Sequence, residues 1–288
     1  MSPRNPVPPH PERNQSSSGY GGRALKQELG LGRVPRVASY QGFVFGSFAE
    51  DGPSLAEHLG AAADAFDRLV RLSPEGEVQL TAGWVRHRVK ANWKMLVENE
   101  TDGYHPQFVH ASIFSVAQSG IGELYGDKST AVSRDLRGGH TENDLRPEFR
   151  RKGKPLGWFG TTPDRVPDYV AGMERTYGER AREILIDGSP QVMVFPNLFI
   201  AEIQLFVLQP LAVDETVQHV TAVQLKGAPE MNQRLLHQTI GSVGPAGLLL
   251  ADDSEMYERN QRGVQARRPE WLVLKRAIWR HYRSLMEA

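Results

Sequence analysis

Between residues 199 and 225 the chain alternates side-chain character with a period of two. Phe199, Ala201, Ile203, Leu205 and Val207 alternate with Glu202 and Gln204, and after a turn at residues 213–215 the rhythm continues through Val217, His219, Thr221, Val223 and Leu225. That period sends neighbouring side chains to opposite faces, so the stretch predicts an antiparallel hairpin. Residues 37–48 (VASYQGFVFGSF) predict a further strand or hairpin closed by the turn Asp51-Gly52-Pro53. Val78, Leu80 and Ala82 alternate with Gln79 and Thr81, predicting a strand that runs on toward Val89. Helices belong around these strands. Ser54 fits an N-cap for an amphipathic helix to about Leu72, and Asn92 fits the cap of the next. Residues 229–288 carry helical periodicity broken at 241–247 and 265–269. The pattern predicts an α+β domain with an antiparallel sheet packed against long helices. Residues 130–167, charged and punctuated by Gly and Pro, predict a long loop able to act as a lid. Residues 1–22, rich in Pro, Ser and Gly, predict a disordered tail.

A length of 288 residues with 40% hydrophobic content is enough for a substantial core. Lys plus Arg equals Asp plus Glu at 34 each, so no net field draws the protein to nucleic acid or to an anionic membrane. The sequence shows neither a long apolar span nor a secretory signal, which leads to a cytoplasmic expectation. There is no cysteine, which excludes disulfides, thiolate zinc sites, cysteine nucleophiles and cysteine-held clusters in these 288 residues. Redox or metal chemistry here must use nitrogen and oxygen ligands or a partner. The nine histidines become the main candidates.

Residues 92–112, NWKMLVENETDGYHPQFVHAS, bring two histidines together with two glutamates and an aspartate. Two imidazoles and one carboxylate form a facial triad that leaves coordination positions open, an arrangement suited to oxygen chemistry at iron(II). His105 and His110 are the natural pair. On an ideal helix five residues turn about 500 degrees, leaving the two side chains about 140 degrees apart. Pro106 disfavours helical backbone at His105, so a break between the two histidines is expected. The carboxylate comes from elsewhere. Asp253 has Leu249, Leu250, Met256 and Tyr257 three and four positions away, an apolar stripe on which a bare carboxylate requires a metal or a cation. Asp252 points about 100 degrees away and reads as a solvated or capping acid.

These segments resemble the α subunits of Rieske-type ring-hydroxylating oxygenases, with the benzoate and anthranilate type nearest in the stretch E-N-x-x-D-G-Y-H. The resemblance runs through ELGLGRVPRVASYQGFVFGSF, NWK, ENETDGYH and His110, then FPNLFI at 195–200, QPLAV at 209–213 and GPAGLLLADD at 244–253. It implies a helix-grip fold, an antiparallel sheet wrapped around a long helix. It also implies mononuclear iron(II) on His105, His110 and Asp253. Asp102 matches the aspartate that links an iron-ligating histidine to a Rieske cluster on a neighbouring subunit; alternatively it is simply an acceptor for a histidine N–H. Asn99 and Leu249 fall where family members line the substrate pocket, with ordinary packing as the other reading.

The resemblance further implies an aromatic substrate and O2, electrons from NAD(P)H through a reductase or ferredoxin, and a homotrimer with or without a β subunit. The family's [2Fe-2S] Rieske cluster needs two Cys and two His, so it is expected on a partner chain. On this reading residues 23–50 are the remnant of the junction with a missing Rieske domain and residues 51–288 are the iron domain. Two rivals stand beside it: a truncated, catalytically incompetent homologue that binds iron or a small ligand, and a hydrolase with zinc on the same triad.

Overall fold

The chain is described by a computed structural model that covers residues 32–112, 131–265, 281–284 and 286. The tail expected over residues 1–22 lies outside the described residues. The chain divides into two units, one of Ala38–Phe45 with Gly52–Ala288 and a small one of Met1–Val37 with Gly46–Asp51. In the small unit the described backbone is the extended ends of a two-stranded ribbon and the turn after it.

That ribbon is β1 (Arg36–Tyr40) and β2 (Phe43–Ser47), joined through Gln41 and Gly42, both at positive φ, the geometry of a tight hairpin turn. Within the large unit its tip residues Tyr40, Phe43 and Phe45 ring Phe66 edge-on, with centroids 5.0–6.1 Å away. Ser54 and Glu57 form a capping box at the start of α1 (Leu55–Leu59). The single helix expected to Leu72 is interrupted: Gly60, at φ 46, opens a 3-10 turn before α2 (Ala63–Arg71).

The strand expected from Val78 toward Val89 is two strands. Gly83, at φ 81, separates β3 (Val78–Gln79) from β4 (Val85–Val89), and the two join different sheets. Next come α3 (Trp93–Thr101), whose Asn92 cap accepts from the Lys94 N–H, and α4 (His105–Val109). The expected loop over residues 130–167 is instead a hairpin, β5 (Val132–Arg137) and β6 (His140–Asp144), followed by α5 (Arg146–Lys152) and 3-10 turns. Its inward phase is His140, Glu142 and Asp144, so the period of two is written in polar residues; arginines meet the two acids, and the His58 carbonyl and Phe195 N–H meet His140. After α6 (Pro167–Tyr177) and α7 (Arg180–Asp187) the chain enters β7 (Gln191–Val194), β8 (Leu198–Ala201), β9 (Gln204–Ala212) and β10 (Glu215–Ala222). A short β11 (Gln224–Leu225) pairs with β3, and α8 (Pro229–Val243) and α9 (Leu248–Gln265) complete the order.

Seven strands form one antiparallel sheet in the order β4-β10-β9-β8-β7-β6-β5. The expected hairpin is β9–β10, but the first alternating run is split, with Glu202 (φ 52) turning β8 into β9. Val192, Val194, Ile200 and Leu205 face a core built with Phe66, Leu69 and Trp158. Met193, Phe199, Phe206, Leu208 and Val220 face a second core completed by Leu96 and Val97 of α3 and Leu250 and Tyr257 of α9. The sheet is thus covered on both faces, and the long helix α9 lies against the second. On β10 the apolar phase read from sequence is the less buried one: Val217 and His219 are half-buried, while Thr216, Gln218 and Val220 are sealed.

Candidate metal centre

The site grows out of the corner between α3 and α4. At Asp102 the backbone leaves the helix for an extended conformation, and Gly103 and Tyr104 make the bend. Asp102 then organises the start of α4 with a single oxygen. Its Oδ1 accepts the backbone N–H groups of Tyr104 (3.0 Å) and His105 (2.8 Å), the donors that a helix start leaves free, and lies 2.7 Å from His105 Nδ1. Donation from Nδ1–H fixes the tautomer and leaves the Nε2 lone pair available.

The break expected between the two histidines falls before both of them. His105 is the first residue of α4 and Pro106 lies in its first turn, where a missing N–H disturbs nothing. His110 is the C-cap, its N–H bonded to the Pro106 carbonyl at 3.1 Å and its ψ of 19° already outside the helix. Because α4 is under two turns long, both ends border one space, and the imidazole centroids stand 5.4 Å apart with planes at 76°.

Asp253 meets them from α9. The buried face of that helix reads Leu250, Asp253, Tyr257 and Gln261, and Gln261 Oε1 accepts the Asn92 N–H at 2.9 Å, tying α9 to the start of α3. Asp253 Oδ1 lies 3.3 Å from His110 Nε2 and 3.8 Å from His105 Nε2, and one donor atom from each of the three residues falls within 4.8 Å of the others. Two ligands with bonds of about 2.1 Å to one ion can be no more than about 4.2 Å apart, so both measured separations suit a shared ion. Two imidazole nitrogens and one carboxylate oxygen are also the donor chemistry of a facial triad.

Asn99 sits against this group. Its Nδ2 donates to Asp253 Oδ1 and to the Tyr257 hydroxyl, both at 3.1 Å, and is 3.4 Å from His105 Nε2. Leu249 is half-buried on α9, one turn before Asp253. Of the residues singled out from sequence, the fold brings Asn99, Asp102, His105, His110, Leu249 and Asp253 into one neighbourhood.

Four more residues belong to it that the sequence reading missed. Asp252, expected to be solvated or a cap, is half-buried with Oδ2 3.6 Å from His110 Nδ1, so each histidine has an acid behind its Nδ1. Burial pulls the His110 pKa down, but Asp253 and Asp252 outweigh it and the net shift is upward. Glu100 is half-buried, and burial, helped by Asp253, pushes its carboxyl up to about 8 even though Gln218 Nε2 donates to it at 3.0 Å. Burial, then Asp253 and Glu100, raises the Tyr257 hydroxyl well above its usual range. The position of Glu100 inside the acidic segment was a usable signal; Gln218, a polar residue on an alternating strand, gave none.

A family model described as "ring hydroxylating alpha subunit (catalytic domain)" matches residues 77–282. The chain is 30% identical over 239 residues to the toluate 1,2-dioxygenase subunit alpha of Pseudomonas putida, covering 81% of this chain and 52% of that one. It is 29% identical over 264 residues to the anthranilate 1,2-dioxygenase large subunit of Acinetobacter baylyi, covering 87% and 56%. Among solved structures, naphthalene 1,2-dioxygenase with indole bound in its active site superposes with a TM-score of 0.66 at 25% identity, covering 86% of this chain and 57% of that one. The chain spans about half the length of the curated relatives it matches. With its match covering well over half of the residues, the chain belongs to the ring-hydroxylating α-subunit family, of which it carries the catalytic domain.

Proposed function

We propose that this chain is the iron-bearing part of a Rieske-type oxygenase that hydroxylates an aromatic substrate with O2, by cis-dihydroxylation or by monooxygenation. The observation that carries the reading is the convergence of His105, His110 and Asp253 from two separate segments onto one point. Iron(II) held there would supply redox chemistry with dioxygen at the coordination positions the three side chains leave open.

The chain's own residues have separable tasks. Asp102 keeps the Nδ1 proton of His105 turned away from the ion, while Asp252, 3.6 Å from His110 Nδ1, adds a negative charge behind the second imidazole. Asn99 holds Asp253 Oδ1 and Tyr257 in place, and Leu249 lines the substrate side. Asp102 also serves as the electron bridge to a Rieske cluster, which these 288 residues, having no cysteine, do not themselves hold. Electrons start from NAD(P)H and pass through a reductase or ferredoxin. The assembly is a homotrimer, with or without a β subunit, and the Rieske-bearing chain is a separate partner that would dock beside Asp102. In domain terms residues 23–50 are the junction and residues 51–288 the iron domain, in a cytoplasmic protein; no helix among the described residues is long and apolar enough to cross a membrane.

The absence of cysteine also supports a second reading, a domain that binds iron or a small ligand without turning over by itself. Anaerobic loading with iron(II) tests the shared part. Wild type should hold about one iron per chain, and His105→Ala and Asp253→Ala should lose it. Adding a Rieske-bearing partner with reductant then separates the readings: oxygen uptake coupled to product supports the oxygenase. Wild type without iron, or with zinc retained after Asp253 is removed, refutes the iron site.

A further inference from the structure

One carboxylate oxygen of Asp102 organises the start of α4, but the main-chain carbonyl of the same residue is held from elsewhere in the chain. The extended backbone at Asp102 (ψ 155°) takes that carbonyl out of the helical ladder, so its partner must come from outside α3. Asn143 supplies it: its Nδ2 donates to the Asp102 carbonyl at 3.2 Å, from 41 residues away. On β6 the inward acids Glu142 and Asp144 stand on either side of Asn143 and are gripped by Arg68, Arg134 and Arg146, which anchors the strand from the opposite face. Asn143 shares its own face with Thr141, whose cross-strand partner Met193 belongs to the core that also holds Leu96 and Val97 of α3. Ser133, directly across on β5, donates to Asn143 Oδ1 at 3.3 Å and so commits the NH2 end of the amide to Asp102.

We infer that Asn143 is a positioning residue for the metal centre, acting through Asp102 rather than by touching the ligands. The inference rests on the function proposed above and adds a residue from the sheet to it. Asp102 is held at two ends: its carboxylate reaches His105 Nδ1 at 2.7 Å on the α4 side, and its carbonyl takes the Asn143 amide on the sheet side. The direction in which the carboxylate points is therefore referred to β6, the strand that three arginines anchor. Without the amide, water can satisfy the half-buried carbonyl, but a water molecule is tied to no strand and sets no direction. Loss of Asn143 should be felt less in overall stability than in how firmly His105 is aimed.

Asn143→Leu removes the donor and tests this in two ways. Anaerobic titration of iron(II) against a competing chelator should find its affinity about three- to tenfold below wild type. In Asp102→Ala, where the link is already cut, adding Asn143→Leu should change the affinity by less than about twofold, a non-additivity that a merely structural residue would not show. The second reading needs no metal. Proton NMR of the metal-free protein follows the imidazole N–H of His105, identified by its loss in Asp102→Ala, and Asn143→Leu should exchange it with water about threefold or more faster than wild type. Circular dichroism and melting establish that each variant is folded; if Asn143→Leu is not, Asn143→Ala carries the same comparisons. Where wild type holds iron, an affinity in the variant within about twofold of wild type overturns the inference, as does an equal loss in the Asp102→Ala background, and either leaves the oxygenase reading standing. Where wild type holds no iron the oxygenase reading fails, and N–H exchange decides: faster exchange in the variant upholds the link from Asn143 to His105, and unchanged exchange overturns it.

Discussion

Removing the Asp102 carboxylate should separate folding from metal binding in a way the geometry sets out in advance. One oxygen accepts three N–H groups, at 3.0, 2.8 and 2.7 Å, on a side chain that is 8% exposed. In Asp102→Ala the Tyr104 N–H regains water, since Tyr104 is exposed, whereas His105 is half-buried. The loss of stability should therefore be that of about one bond to a charged acceptor, roughly 2 kcal/mol. The third bond acts on the metal instead. Losing the partner behind a ligating imidazole typically weakens metal affinity by about 10- to 100-fold, or about 1.4–2.7 kcal/mol. Asp102→Asn keeps a neutral acceptor for the backbone, so its stability should fall by under about 1 kcal/mol while its iron affinity still drops about tenfold. Anaerobic titration of iron(II) against a competing chelator measures the affinity, and urea denaturation of the metal-free proteins measures the stability. If both variants bind iron within about twofold of wild type, the orientation of His105 does not depend on Asp102 and the reasoning fails.

Three further outcomes are expected from other parts of the molecule. Free iron(II) at about 100 times its dissociation constant should stabilise wild type by about 2.7 kcal/mol and leave Asp253→Ala unchanged, as read by the shift in melting temperature. His140 is 1% exposed, and burial, together with the nearby His58 and His281, holds its folded pKa near 4, below its ordinary value of 6.5. Because the unfolded chain takes the proton first, the neutral His140 has no effect on stability above pH 6.5. Stability then falls as the pH drops from 6.5 to 4, by about 3 kcal/mol in all, and levels below that. His140→Gln should flatten this part of the stability-versus-pH curve; an unchanged slope would refute the assignment. Arg68 and Glu142 pair across α2 and β6 with side chains 10% and 5% exposed; Arg68→Met leaves Glu142 only the longer contacts to Arg134 and Arg146, at 3.9 and 3.8 Å, and should cost about 1–3 kcal/mol. Adding Glu142→Gln to it should restore much of that loss in denaturant melts, and a double variant no better than the single would show that the pair does not matter.

The β9–β10 hairpin, the Ser54 N-cap, the Asn92 cap and the two C-terminal helices were all legible because each is announced by local chemistry. The strands missed in the sequence, β6 and β7, share one cause. Alternation is visible only when one face is apolar and the other polar, and this sheet is covered on both sides. In β7 consecutive residues Val192, Met193 and Val194 feed two different cores, so no alternation remains to be seen. In β6 the buried phase is His140, Glu142 and Asp144, which reads as loop until Arg68, Arg134 and Arg146 are placed against it. Both are facts about partners distant in the chain, and no window of sequence contains them.

The same distinction divides the site. His105, His110 and Asp102 lie within nine residues and could be found as a cluster, while Asp253 could be found because a carboxylate on an apolar stripe is out of place. Gln218 is no less out of place, yet it sits on the polar phase of a strand whose apolar phase looked like the inward one. Its partner there is Glu100, 118 residues earlier, whose Oε1 accepts from Gln218 Nε2. A buried amide costs stability unless its polar groups are met, and among the described residues only the N–H is met.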